Sequence, residues 1–62
     1  MTITLPHILV VDDDARLRGL LRRFLVDSGF WVTEAEDAAS ARDRLAALEF
    51  DLLVLDVMMP GE

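Results

Sequence analysis

The sequence has no cysteine, no lysine and no tyrosine, and its 62 residues include only three glycines and two prolines. Without cysteine, neither a disulfide framework nor a thiolate metal site is possible, and the redox compartment stays open. No apolar stretch reaches the roughly 18 residues of a membrane helix, because Asp51 and Asp56 bracket the longest candidate. Residues 1–6 have no basic region and no small-residue cleavage site, unlike a signal peptide. These absences predict a soluble, cytoplasmic protein.

The charge balance is acidic, since six arginines face twelve aspartates and glutamates for a net charge of −6. An acidic chain without a basic stripe is a poor partner for nucleic acids or anionic membranes. Hydrophobic residues make up 53% of the chain. A chain this short buries only about 60% of its unfolded surface. The composition therefore predicts apolar surface that something outside these residues covers.

The predicted elements follow in the order β-α-β-α-β. Strands are expected over residues 7–12, 30–35 and 51–56, after a short tail of residues 1–6 that ends at Pro6. The first helix is expected to pack through apolar residues spaced i, i+3, i+4, i+7 and i+8, and the second through a smaller face. These residues are Leu17, Leu20, Leu21, Phe24 and Leu25 in the first helix, and Ala38, Ala41, Leu45 and Leu48 in the second.

Residues 8–11 and 52–55 are continuous Val, Leu and Ile runs, typical of strands that a parallel sheet buries on both faces. The crossovers are long enough for parallel pairing and are expected to be right-handed. With the first strand in the centre, the order is 2-1-3 and the helices lie on opposite faces. The sequence thus predicts an α/β fold with a doubly wound parallel sheet.

Acidic residues stand where both apolar runs stop. Asp12, Asp13 and Asp14 follow the first run, and Asp56 follows the second. Carboxyl ends of adjacent parallel strands, about 4.8 Å apart, meet at the edge where such folds bind ligands. Two carboxylates about 4 Å apart repel by roughly 4 kcal/mol, and an oxygen-only ligand set suits Mg²⁺. A strand-end carboxylate beside that ion is a plausible nucleophile toward phosphorus.

Residues 8–14, 16–18 and 53–61, in this order and spacing, resemble a bacterial response-regulator receiver domain, a flavodoxin-like fold. The resemblance covers residues 7–62 and is closest to the subfamily with winged-helix DNA-binding output domains. It implies phosphoryl transfer from a sensor histidine kinase to an aspartate, in a two-component system that controls transcription.

The resemblance also implies roles for individual residues. Asp56 would be the phosphoacceptor and also lie at the metal site, and Asp13 would bind Mg²⁺ directly. Asp12 would hold the ion through water, and the backbone carbonyl of Met58 would complete the protein ligands. Asp14 is expected to serve only as a helix cap.

The sequence departs from the family pattern in length. A flavodoxin-like receiver has five strands, and these residues match only the first three. The Ser or Thr of strand four and the Lys of strand five, which contact the phosphoryl group in the family, have no counterpart here. Residues 7–62 therefore resemble the first half of a receiver, in which metal binding is expected to persist while switching and efficient phosphotransfer are impaired.

Two other functions stay open. A haloacid-dehalogenase-like phosphatase also uses a strand-end aspartate with a second acid two residues on, as at Asp12 and Asp14. However, Arg16 stands where that family prefers a small β-branched residue. The chain is alternatively a structural α/β fragment that associates with itself. The bare edge of strand three favours a two-fold symmetric homodimer.

Three further features have plainer interpretations. The arginines of the first helix, at positions 16, 18, 22 and 23, are expected to form a solvated face or part of a kinase-docking surface. His7 is expected to be solvated or hydrogen-bonded, and not a metal ligand. Phe30 and Trp31 are expected to pack on an edge strand.

Overall fold

A computed structural model describes residues 5–55, which form three parallel strands and two helices. The elements are β1 (His7–Val11), α1 (Ala15–Asp27), β2 (Trp31–Ala35), α2 (Ala38–Ala47) and β3 (Leu52–Leu55). The strand order is β2-β1-β3, and both pairings are parallel. The predicted α/β class, element order and strand order are therefore confirmed. β1 ends one residue earlier than predicted, and β2 and β3 each begin one residue later; the predicted last residue of β3 lies outside the described residues.

The core of the molecule is built on the central strand β1. Four of its five residues, Ile8–Val11, expose 1% of their surface or less. Leu9 and Val11 pack with Ala35 and with Ala41 of α2. Ile8 and Val10 alternate to the opposite face of the sheet. Burial on both faces, predicted from the apolar run, is thus confirmed for β1.

The same prediction is wrong for β3 in the described part of the chain. Leu52, Leu53 and Leu55 remain 56%, 46% and 52% exposed. Within residues 5–55, β3 pairs only with β1, and neither helix lies against it. An apolar run indicates that a strand can be buried, whereas the number of elements around the strand decides whether it is.

The helices bury only part of their predicted faces. On α1, Leu21 and Leu25 are half-buried, whereas Leu17, Leu20 and Phe24 are exposed. On α2, Ala41 is buried and Ala38 half-buried, but Leu45 and Leu48 are exposed. Each helix packs on β1 and β2 along one side only, which leaves the other apolar side in solvent. This surface fits the excess of apolar residues in the composition.

Aspartates cap both helices. The Asp14 carboxylate accepts hydrogen bonds from the backbone amides of Arg16 and Leu17 at 3.0 and 3.2 Å, which confirms its predicted role. The Asp37 carboxylate accepts a hydrogen bond from the backbone amide of Ser40 at 2.7 Å. This bond favours the charged carboxylate and holds the pKa of Asp37 below its usual value.

One glycine, Gly19, lies within α1, and another, Gly29, follows its end. Gly29 follows the helix with φ of 97°, a left-handed conformation that suits glycine and ends α1. A Cβ atom at Gly19 would meet nothing within 4 Å, so no close packing contact requires glycine at this position. Gly19 lies on the outer part of the helix surface.

His7 organises the amino end of the sheet. Its ring Nδ1 lies 2.9 Å from the Glu49 carbonyl oxygen, and its Nε2 lies 2.6 Å from the Thr33 hydroxyl. The ring stacks on Trp31, with centroids 3.8 Å apart, and meets Phe50 at 4.2 Å. The expected hydrogen bonding of His7 and the packing of Trp31 on the edge strand are confirmed. This cluster ties β1 to β2 and to the segment before β3.

Candidate functional site

Asp12 lies immediately after the central strand and is held from several sides. Its backbone amide donates to the Ala35 carbonyl at 3.1 Å, which continues the pairing of β1 with β2 by one step. Its Oδ1 accepts a hydrogen bond from the Asp14 amide at 2.9 Å. Asp12 is only 3% exposed, so the structure presents a buried carboxylate with a fixed backbone at the carboxyl edge of the sheet.

The three consecutive aspartates occupy three different environments. Asp12 is buried, Asp13 is exposed, and Asp14 uses its carboxylate to begin α1. Asp12 and Asp13 therefore have carboxylate oxygens for a ligand at this edge, whereas those of Asp14 serve the helix. Carboxylate oxygens are the ligands that hard divalent cations prefer, so this pair fits Mg²⁺ by its chemistry.

The predicted site residues Asp56 and Met58 lie outside the described residues. The register of β1 with β3 ends with Val11 beside Leu55, the residues that precede Asp12 and Asp56 in the sequence. Among residues 5–55 no group of three or more histidine, aspartate or glutamate side chains could hold a metal ion. The described part thus supplies two of the predicted ligands.

A charged pair beside Asp12 is the feature that the sequence did not predict. The Nη1 atom of Arg18 donates to the Asp12 carbonyl at 2.7 Å, and its Nε donates to Glu34 Oε1 at 3.1 Å. The Arg18 side chain is 18% exposed. A solvated face, expected for the arginines of α1, is therefore wrong for Arg18. The signal in the sequence is Glu34, the one acidic residue within the three strands of the described part of the chain.

Glu34 holds a second arginine of the same helix. Arg22 Nε lies 3.5 Å from Glu34 Oε2, so the two carboxylate oxygens face two successive turns of α1. The Glu34 backbone carbonyl accepts a long hydrogen bond of 3.4 Å from Arg44 of α2. Glu34 therefore links both helices near the carboxyl end of the sheet. This end, with Asp12 and Asp13, is called the acidic edge below.

Comparison with known proteins identifies the family. Residues 8–62 match the model of the response regulator receiver domain. Protein PetR of Rhodobacter capsulatus is 61% identical over the whole chain, which covers 26% of PetR. The transcriptional regulatory protein ResD of Bacillus subtilis is 46% identical over 87% of the chain and 22% of ResD. The chain thus spans about a quarter of the length of these relatives.

Solved structures agree with this result. The structure of the chemotaxis response regulator CheY4 of Vibrio cholerae superposes with a TM-score of 0.89 at 32% identity. The match covers 95% of this chain and 49% of that chain. The fold is therefore that of a partial flavodoxin-like receiver, with strand order 2-1-3 as predicted.

The chain belongs to the family of response-regulator receiver domains, the phosphoaccepting modules of two-component signalling. It is a receiver-domain fragment with relatives among transcriptional regulators, and the haloacid-dehalogenase-like alternative is not favoured. Receiver domains generally bind Mg²⁺ at their phosphorylation site. Within residues 5–55, none of the helices is long and apolar enough to cross a membrane.

Proposed function

We propose that residues 7–62, after a tail of residues 1–6, are the amino-terminal half of a receiver whose phosphoacceptor is Asp56. A sensor histidine kinase would be the donor, and the full-length parent would be a cytoplasmic regulator of transcription. The observation that carries the proposal is the buried carboxylate of Asp12, fixed at the end of the central strand beside the end of β3. The chain acts as a phosphoacceptor and is not an enzyme in its own right.

The proposed reaction moves one phosphoryl group. A carboxylate oxygen of Asp56 forms a bond to phosphorus while the bond from phosphorus to the kinase histidine nitrogen breaks. The products are an acyl phosphate on Asp56 and a free imidazole on the kinase. Acyl phosphates of this kind are established covalent intermediates of aspartate nucleophiles.

Magnesium fits this site as the proposed cofactor. Asp12, Asp13 and Asp56, together with the backbone carbonyl of Met58, would hold it. The ion, when bound, supplies positive charge that offsets the mutual repulsion of the carboxylates and the charge of the incoming phosphoryl oxygens. The support from this structure is that Asp12 is buried and oriented, whereas the neighbouring Asp13 is exposed and free to reach a ligand.

Phosphorylation of the 62-residue chain is expected to be slow and confined to Asp56. The chain has no lysine, and the charge developing on a transferring phosphoryl group is stabilised in the family by a Lys and a Ser or Thr. Incubation with acetyl phosphate and Mg²⁺, followed by intact-mass analysis, should show little or no added phosphate over hours. Any label that forms should be absent from Asp56→Asn.

Asp27→Asn is the matched control, because this exposed aspartate ends α1, at the opposite end of that helix from Asp14. It should leave the small amount of labelling unchanged. Label that persists in Asp56→Asn would contradict the assignment of the phosphoacceptor. Rapid stoichiometric labelling of Asp56 would instead show that these 62 residues suffice for the reaction.

The second part of the proposal concerns a protein partner: taken alone, the 62-residue chain forms a homodimer through β3. Among the described residues β3 has a neighbour on one side only, and three of its leucines are exposed. Exposed apolar edge strands seek another strand. The net charge of −6 argues against nucleic acid as the partner of this chain.

Symmetry narrows the geometry of this dimer. A two-fold axis parallel to the strands would set each backbone N–H of β3 opposite the same N–H of its copy. An axis perpendicular to the sheet makes the two β3 strands antiparallel, so that donors meet acceptors. This arrangement joins six strands in one sheet and places both copies of α1 on the same face. Exchange of β3 between the copies is the swapped variant of the same contact.

We expect light scattering to give about twice the 7.0 kDa chain mass at tens of micromolar. Leu53→Lys should shift the chain to a monomer, because a charged residue on an edge strand opposes pairing. Leu45→Lys is the matched control, since Leu45 is equally exposed but lies on α2, away from β3. A folded wild-type monomer at this concentration would contradict the dimer.

A further inference from the structure

Arg18 touches the acidic edge without contributing a ligand to it. It lies one turn into α1, where its guanidinium spans the gap between the residue after β1 and the side chain of Glu34 on β2. One nitrogen donates to the Asp12 backbone carbonyl at 2.7 Å, and another donates to Glu34 Oε1 at 3.1 Å. These two bonds use the fork geometry that distinguishes arginine from lysine.

The hydrogen bonds around Asp12 leave little freedom to its backbone. The amide is bound to Ala35, the carbonyl to Arg18, and the carboxylate Oδ1 to the Asp14 amide. Among the three partners of Asp12, the Ala35 carbonyl and the Asp14 amide belong to the backbone. The Asp12 carbonyl alone is held by the side chain of another residue, Arg18. Loss of that bond frees the peptide between Asp12 and Asp13, the two proposed ligands.

We propose that Arg18 is a positioning residue for the divalent cation, with Glu34 as its anchor. This inference rests on the proposed magnesium site. Mg²⁺ demands near-ideal octahedral geometry, so a ligand pair on a mobile peptide binds it less well than a fixed pair. Binding weakens in proportion to the fraction of time that the ligands spend in the competent arrangement.

The charge of Arg18, taken alone, predicts that removing this residue strengthens Mg²⁺ binding. The guanidinium is a cation close to the site, so its Coulomb repulsion opposes Mg²⁺ binding. If Arg18 acted only through its charge, its removal would tighten binding. If Arg18 were only structural, its removal would lower the metal-free stability and leave the dissociation constant unchanged. Positioning is the one role that weakens binding when Arg18 is removed.

The test is calorimetric titration of the metal-free 62-residue chain with Mg²⁺, with thermal unfolding in parallel. Replacing residues that orient metal ligands typically costs about 10- to 100-fold in affinity, and we expect about 10-fold weaker binding for Arg18→Gln. Arg18→Lys should weaken binding similarly, because a lysine ammonium keeps the charge but cannot reproduce both arms of the fork. Glu34→Gln should weaken it less.

Arg22→Gln is the matched control, since it removes the same charge from the other arginine that pairs with Glu34, one helical turn further from Asp12. Its dissociation constant should match that of the wild type. Unchanged or tighter binding in Arg18→Gln overturns the positioning role while the site stands. No binding by the wild type overturns the proposed site and this inference together. If Arg18→Gln does not fold, Arg18→Lys decides the same question, because it keeps the charge and loses the fork.

Discussion

Leu9→Ala is expected to destabilise the 62-residue chain by about 2 to 5 kcal/mol, the range for deleting a buried leucine side chain. Leu9 is fully buried in the central strand and packs with Val11, Ala35 and Ala41. A typical stability of 0.05 to 0.15 kcal/mol per residue gives a chain of this size about 3 to 9 kcal/mol. The substitution thus removes a large part of this margin, and the denaturation midpoint should fall well below that of the wild type.

The measurement is chemical denaturation followed by circular dichroism, at one fixed protein concentration. Leu45→Ala is the matched control, since it makes the same change at a half-exposed position on α2. It should cost about 1 kcal/mol or less, because substitutions near the surface have small effects. A loss for Leu9→Ala no greater than that for Leu45→Ala would contradict the placement of the core on β1.

Local pattern was sufficient to predict the strands, the helices and their order. The apolar run before Asp12 predicted β1. The helical spacing of Leu21 and Leu25 predicted that both side chains face the sheet, and both are half-buried in the structure. With right-handed crossovers and the first strand in the centre, the predicted order was 2-1-3, which the structure confirms. Asp14 and Gly29 were predictable because a helix cap and a left-handed turn depend on neighbouring residues only.

Burial was less predictable, because it depends on what surrounds an element. The runs of β1 and β3 look alike in sequence, yet Leu9 is buried and Leu53 is half-exposed. Leu20 and Phe24 follow the same helical spacing as Leu25 but remain in solvent, Phe24 with 67% of its surface exposed. Apolar periodicity indicates which face can be buried, and the count of neighbouring elements determines whether it is.

At the candidate site, the sequence predicted the aspartates but not what orients them. Asp12 and Asp13 follow from their place at the end of a strand. The bond from Arg18 to the Asp12 carbonyl and its partner Glu34 depend on how α1 lies across β1 and β2. Arg18 and Glu34 are 16 residues apart in sequence, so no helical or strand spacing relates them. The roles of Asp56 and Met58 stay predictions, since both lie outside the described residues.

The effect of Mg²⁺ on stability is the second large expectation and concerns the acidic edge directly. A cation that binds only the folded chain stabilises it by RT ln(1 + [Mg²⁺]/Kd), which is about 1.4 kcal/mol at ten times Kd. Asp13→Asn removes both a charge from the cluster and a proposed ligand. It should therefore raise the stability of the metal-free chain and abolish the increment due to Mg²⁺.

Asp14→Asn is the matched control, because Asp14 carries the same charge one residue away but caps α1. Asparagine is also a good cap, so the helix should keep its start. This variant should retain most of the Mg²⁺ increment. A difference between the two variants therefore reports the role of the individual carboxylate and not the loss of one negative charge near the site.

The measurement that tests the account most directly is thermal unfolding of the wild type, Asp13→Asn and Asp14→Asn, with and without millimolar Mg²⁺ at constant ionic strength. We expect Mg²⁺ to raise the melting temperature of the wild type and of Asp14→Asn, and to leave that of Asp13→Asn unchanged. Equal stabilisation of the wild type and Asp13→Asn would contradict a magnesium site at the carboxyl ends of β1 and β3.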